Sequence, residues 1–293
     1  MDLYSYANGD PVNNLDPDGR IATQGIRVQG GPDGLTQSLE SRINRSYYAN
    51  VLQPGSPYTQ QVVDTALASN ASYGNLKVGD HAFGHYFVEA TWDNESGMQA
   101  SRLRDRVTGQ NIVSYRGTEP SKIRDWLADG SQNIGLKTAQ YDEGIGIAQD
   151  VKQEFGANIW LTGHSLGGGI ASAAALVTQM SATTYNSAGL NPNTLSGSGV
   201  SMSGHKDLIQ AYFVNGEVLS GLQDLSAFPN RLRSSFFWRG TNIPVFSQRP
   251  QLMPDAVGTR IPLSPASGVG YFGSSLYHSM ADSVLPAMGL PKL

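Results

Sequence analysis

Two spacings of apolar residues run along this chain, and they place its elements. Asn158 to Thr162 is a short apolar run with the length and composition of a strand. The small residues Gly169-Ile170-Ala171-Ser172-Ala173-Ala174-Ala175-Leu176-Val177 that follow read as a tightly packed helix. Upstream, Ile145, Ile147, Val151 and Phe155 lie along one face of a helix over 141–155. Met98 to Asp105 and Asn111 to Tyr115 read as paired strands around Thr108-Gly109, a hairpin signal. Thr183 to Asn186 and Leu208 to Asn215 read as two further strands, the second one buried, and a Gly/Ser-rich loop fills 187–204. Ser41 to Leu52 and Tyr58 to Ala71 have the pattern of two leading helices rich in Tyr and Gln. From Leu225 to Tyr277 the pattern is irregular, and Phe228, Phe236, Phe237, Trp238, Phe246, Tyr271 and Phe272 stand among Pro, Gly and Ser. These aromatics either line a channel or touch an interface, or they form a cap packed on the core.

Between the strand ending at Thr162 and the helix beginning near Leu166 stands Gly163-His164-Ser165-Leu166-Gly167. With 34 glycines in the chain, such a five-residue pattern arises easily as an ordinary turn. Its position between a strand and a helix of small residues favours a nucleophile elbow, in which the serine sits on a strained turn and the flanking glycines remove side chains that would collide. The free N–H groups and positive dipole end of the following helix point to where an oxyanion would form. The chemistry implied is acyl transfer through Ser165.

A second motif, Ile112-Val113-Ser114-Tyr115-Arg116-Gly117-Thr118, is followed by Asp125-Trp126-Leu127-Ala128-Asp129. Together with Gly-His-Ser-Leu-Gly-Gly at 163–168, and in this order, these residues resemble the class 3 lipases, the family of fungal triglyceride lipases and phospholipase A1-like enzymes. The resemblance implies an α/β fold of α/β-hydrolase type, with a central, mostly parallel sheet flanked by helices. It makes Ser165 the nucleophile, and Thr118 with the Leu166 N–H the oxyanion hole. Asp125, Trp126 and Asp129 match as well, with structural roles at the start of a lid or helix.

That fold orders its triad as serine, acid, then histidine along the chain. Of the five histidines, His81 and His85 precede Ser165, and His164 is its immediate neighbour, with a ring badly placed to act as base. No acid lies between Ser165 and His205, so His278 remains as the base. Glu217 follows the strand over 208–215, at the end where this fold presents its acid, and is favoured. Asp224 is the alternative one short helix further on, Asp255 comes third, and Asp282 lies past His278. Here the sequence departs from the class 3 lipases, which usually carry Asp; Glu is chemically adequate to orient an imidazole and stabilise its cation.

Residues 1–20, containing Leu3-Tyr4-Ser5-Tyr6-Ala7-Asn8-Gly9-Asp10 and ending Asp16-Pro17-Asp18-Gly19-Arg20, resemble the closing motif of the Rhs repeat-associated core, a shell that encloses a bacterial toxin and cuts itself just beyond Asp-Pro-x-Gly. The matching cut falls near Arg20-Ile21, which divides the chain into a leader, 1–20, and a lipase-like toxin domain, 21–293. Composition alone equally describes a flexible Pro/Asn/Asp/Gly-rich leader.

The net charge is −4 with no basic run, which argues against nucleic acid as a partner. With no Cys there are no disulfides, metal thiolates or Cys nucleophiles, and no cofactor or metal is expected. No apolar run approaches about 20 residues, and Met1 is followed by a polar stretch instead of a signal peptide. The expectation is therefore a serine lipase or phospholipase (A1-like), delivered by a carrier such as an Rhs shell and its secretion apparatus to the envelope of a target cell. Its partners would be a phospholipid membrane surface and a cognate immunity protein. A neutral-lipid lipase or small-ester esterase, and a non-catalytic lipid- or partner-binding module, are the alternatives.

Overall fold

A computed structural model of the protein describes residues 57–118, 139–156, 158–196, 198–202, 206–223, 254–267 and 278–290. The leader 1–20, the helix expected over 41–52, Asp125, Trp126, Asp129, His205, Asp224 and the aromatics from Phe228 to Phe246 with Tyr271 and Phe272 lie outside the described residues.

The chain enters through α1 (Gln60–Ala71). Thr59 caps it, its hydroxyl accepting the Val62 N–H. Four strands follow, β1 (His81–Phe83), β2 (Tyr86–Asp93), β3 (Gln99–Asp105) and β4 (Asn111–Tyr115). Successive strands pair antiparallel, and the β3/β4 hairpin runs in register from Ala100 opposite Tyr115 to Arg104 opposite Asn111. The direction then changes. Helix α2 (Ala139–Phe155) leads to β5 (Ile159–His164), α3 (Leu166–Thr178) to β6 (Ala182–Tyr185), and β7 (Ile209–Val214) is followed by α4 (Val218–Gln223) and β8 (Thr259–Leu263). From β4 to β8 every pairing is parallel, and the eight strands among the described residues stand in the sheet in chain order.

Both faces of the centre are covered. Ile112 packs toward α1 with Val63, Leu67 and Leu103, while its neighbour Val113 packs toward α2 and α3 with Ala148, Leu161 and Ile170. All five residues of β4 are consequently buried, as a central strand between two helical layers requires. A π-type turn (Met280–Val284) and the short α5 (Leu285–Ala287) add Val284, Leu285, Met288 and Leu290 to the core on the α1 side. That packing anchors the chain just beyond His278.

The elements expected at 58–71, 98–105, 111–115, 141–155 and 208–215 are present with shifts of one or two residues at their ends, and a 3₁₀ turn (Pro192–Leu195) interrupts the loop over 187–204. Three strands had no signal. β8 falls in the stretch read as irregular: it is the last strand of the sheet among the described residues, only Leu263 of it is buried, and Pro262 stands in it, so nothing in it alternates. In β2 a register shift between Val88 and Ala90 breaks the two-residue period. β1 is only three residues long.

Candidate active site

Ser165 stands between β5 and α3 with φ 58° and ψ −126°, a region costly for any residue with a Cβ. The surrounding contacts hold it there: its N–H donates to Tyr185 O (3.1 Å), and its carbonyl accepts the N–H groups of Ala188 (2.9 Å) and Gly169 (3.2 Å). The turn tolerates no side chains beside it. A Cβ on Gly163 would lie 2.3 Å from Gly167 O, and one on Gly167 would lie 2.2 Å from Tyr115 O.

The Arg116-Gly117-Thr118 segment passes directly over this elbow. A Cβ on Gly117 would sit 2.2 Å from His164 O and 3.0 Å from the Ser165 Cβ. The Arg116 N–H ties the segment to Gln99 O (2.9 Å), and Thr118 follows half-buried.

Glu217 and His278, 61 positions apart in sequence, meet at the carboxyl end of β7. Gly216, with φ 87°, turns the chain out of the strand, and Glu217 then heads α4. One carboxylate oxygen accepts the Leu219 N–H (2.8 Å), and the other accepts the Ser220 N–H (3.0 Å) and hydroxyl (3.1 Å). The remaining partner is His278 Nδ1, hydrogen-bonded to Oε1. A carboxylate oxygen accepts, so the proton of this bond sits on Nδ1, and Nε2 is the ring nitrogen turned away from Glu217. Both residues are fully buried, as is Ser165. Among the described residues, His278 Nε2 and Ser165 Oγ are buried polar atoms with no hydrogen-bond partner.

His164 is bound up with this group in a way that its adjacency to Ser165 does not suggest. Its Nε2 is hydrogen-bonded to the backbone carbonyl of His278, and its Nδ1 lies 2.6 Å from the Tyr73 hydroxyl. A carbonyl cannot donate, so Nε2 bears the proton and Nδ1 accepts from Tyr73. Burial, and next the nearby His278, hold the His164 pKa well below the usual histidine range, against a smaller opposing effect of its bond to the His278 backbone. His164 is therefore neutral. The two imidazoles lie 4.5 Å apart, tilted by 45°. Sequence reasoning missed Tyr73, which follows α1 and reaches His164 across 91 positions.

The other candidates lie elsewhere. Asp255 is exposed, 3.9 Å from Arg260 at the start of β8, and Asp282 is held by the Ser279 hydroxyl (3.2 Å). His81 sits at the opposite end of the strand order, its Nε2 3.0 Å from Gly84 O.

A central sheet turning from antiparallel to parallel, covered by helices on both faces, with a strained serine between the middle strand and its helix, is an α/β-hydrolase fold of class 3 lipase type. The chain belongs to the Tle-like phospholipase domain family, which is phospholipase-like and matches residues 70–267. An extracellular phospholipase A1 from Serratia liquefaciens is 31% identical over 172 residues, covering 59% of this chain and 47% of that protein. The chain thus spans about half the length of this curated relative. Among solved structures, a fungal lipase in complex with an inhibitor is 18% identical with a TM-score of 0.41, covering 57% of this chain and 74% of the other. A triacylglycerol lipase from Penicillium expansum is 13% identical with a TM-score of 0.41, covering 76% and 84%.

Proposed function

We propose that the protein is a serine phospholipase of the A1 type, hydrolysing an acyl ester of membrane glycerophospholipids. The observation that carries this reading is the buried Glu217–His278 pair, which leaves His278 Nε2 bare at the same sheet edge as the unpartnered Ser165 hydroxyl. Ser165 Oγ bonds to the ester carbonyl carbon as its proton passes to His278 Nε2, and Glu217 holds the imidazole and stabilises its cation. The carbonyl oxygen takes the negative charge against the N–H groups of Thr118 and Leu166. Collapse breaks the ester bond, and the leaving lysolipid alkoxide takes the proton from His278. Water then attacks the acyl-Ser165, again through His278, and releases the fatty acid.

Membership of the Tle-like phospholipase domain family and the resemblance to a phospholipase A1 support the lipid substrate. The leader's resemblance to the Rhs closing motif supports the setting: a toxin carried by an Rhs shell, acting at the envelope of a target bacterium, and countered in its producer by an immunity protein. Mass spectrometry of phospholipid vesicles incubated with the protein tests the reaction. Lysophospholipid and fatty acid in equal amounts are expected, and neither with Ser165→Ala. Vesicles left intact by the wild type would overturn the reading.

A further inference from the structure

We infer that a cationic cavity beside the Arg116-Gly117-Thr118 segment binds the phosphate headgroup of the lipid being cleaved, an inference that rests on the phospholipase reading above. The cavity, about 250 Å³, is walled by Ser72 and Lys77 after α1, Trp92 and Asp93 at the end of β2, Ser101 on β3 and Arg116 at the end of β4. It is smaller than pockets that enclose a whole drug-sized ligand, roughly 300–1,000 Å³. Its size and its mixed walls, with Lys77, Arg116 and Ser101 beside Leu76 and Trp92, suit a phosphate with a small substituent and not an acyl chain.

Its place in the sheet ties it to the nucleophile. Thr91 to Asp93 pair with Ser101 to Gln99, and Ala100 and Ser101 pair with Tyr115 and Ser114. The cavity therefore opens at the carboxyl end of β4, the edge at which β5 delivers Ser165. Neighbouring strands are about 4.8 Å apart, so Arg116 ends the strand one spacing from the nucleophile's own. The next residue, Gly117, already touches the elbow.

Orientation agrees with position. The Ser114 hydroxyl donates to Ala68 O of α1 (3.0 Å), so Ser114 faces that helix, and its partner Ser101 shares the face. Arg116, two residues beyond Ser114, returns to the same side, with its guanidinium 5.7 Å from the centre of the Tyr73 ring. Tyr73 is the residue that donates to His164. Arg116, which lines the cavity, thus lies beside a residue hydrogen-bonded into the candidate active site.

The wall chemistry selects an anion. Among the described residues that line it, Lys77 and Arg116 stand with a single acid, Asp93, and the buried Ser101 hydroxyl has no hydrogen-bond partner. A guanidinium presents two parallel N–H groups to two phosphate oxygens, a geometry that a neutral diacylglycerol cannot use. With the acyl ester over Ser165, the three glycerol carbons lead back toward Arg116. Headgroup binding would separate phospholipid from neutral lipid as substrate.

Rates on phosphatidylethanolamine and on diacylglycerol of the same acyl composition, in identical mixed micelles, test this in the wild type, Arg116→Gln and Lys77→Ala. The ratio of kcat/KM for phospholipid to that for diacylglycerol should fall about tenfold to a hundredfold in Arg116→Gln, the worth of one or two charge-assisted hydrogen bonds, and by a smaller factor in Lys77→Ala. Soluble glycerophosphoethanolamine should inhibit the wild type competitively. A ratio unchanged in both variants, with both substrates slowed alike, would overturn the assignment and leave Arg116 a support of the neighbouring segment. Inhibition by inorganic phosphate without inhibition by glycerophosphoethanolamine would also overturn it, marking a free-phosphate site. A wild type that cleaves diacylglycerol but no phospholipid defeats the phospholipase reading itself, and that result appears before any variant is made.

Discussion

The imidazole of His164 is hydrogen-bonded through Nε2 to the backbone carbonyl of His278, so the residue before the strained serine holds the main chain of the residue proposed as its base. The main chain carrying each of two side chains that an acyl transfer needs in fixed relation is thereby tied by one bond outside the reaction path. Tyr73 completes the link by donating to His164 Nδ1, which fixes the tautomer that keeps Nε2 a donor. Small errors of placement at such a centre are costly, since an ångström of displacement is worth about a hundredfold in rate.

Replacing Ser165 by Ala should abolish hydrolysis, by about 10⁶ in turnover, while thermal unfolding stays within a few degrees of wild type. Circular dichroism and a fluorogenic ester assay check the two halves. Retention of more than about a hundredth of the activity would remove Ser165 from its proposed role.

Glu217→Gln should lower turnover by about 10³ to 10⁴, because an amide no longer specifies the proton on His278 Nδ1 or balances the imidazolium. Glu217→Ala should in addition destabilise the protein by at least about 2 kcal/mol, since the buried Leu219 and Ser220 N–H groups lose their acceptor. Asp224→Asn should change little. The reverse order of the two amide variants in single-turnover kinetics would transfer the acid to Asp224.

His164→Gln and Tyr73→Phe should depress kcat by about ten- to a hundredfold and leave KM nearly unchanged, the pattern of a misplaced base instead of a lost substrate contact. The pH dependence of stability offers a second readout. The folded-state pKa of His164 lies below its unfolded value of about 6.5. The unfolded chain therefore binds the extra proton first, and stability present above about pH 6.5 is lost as pH falls toward the folded pKa. In His164→Gln this contribution disappears, so Tm between pH 7 and pH 5 should fall less steeply than in wild type. Parallel Tm profiles would deny His164 that contribution.

Gly117→Ala places a methyl where only 2.2 Å separates it from His164 O. The segment must lift, carrying Thr118 away from Ser165. A loss of about 10² to 10³ in kcat is expected, the worth of one oxyanion donor, with stability lowered by about 1–3 kcal/mol. Full activity in this variant would place the oxyanion contacts elsewhere.

Expressed in a bacterial cytoplasm, the chain should be mild. On the proposed toxin reading, directing it to the periplasm should permeabilise the cell, because a net charge of −4 gives no electrostatic pull toward anionic lipid and access would come from the proposed carrier. Dye-uptake measurements distinguish the cases. Equal damage by wild type and Ser165→Ala would sink the toxin reading.

What the amino-acid sequence determined by itself is local. Gly163, Ser165 and Gly167 between a short apolar run and a helix of small residues mark the elbow, because a strained strand-to-helix turn restricts the residues that can occupy it. β4 was legible for another local reason: Thr108-Gly109 marks a tight turn between it and β3. Chain order then pointed to Glu217 and His278 without showing that they touch. Tertiary structure decided the rest. The bonds from Tyr73 to His164 and from His278 to Glu217 join residues 91 and 61 positions apart, and periodicity carries no information on such pairs. β8 was invisible because only one of its five residues is buried, too little to impose a pattern, and β2 because its register shift breaks the alternation that would have revealed it. Short-range sterics write themselves into neighbouring residues, whereas long-range packing needs only some side chain of the right shape to arrive, and many sequences satisfy it.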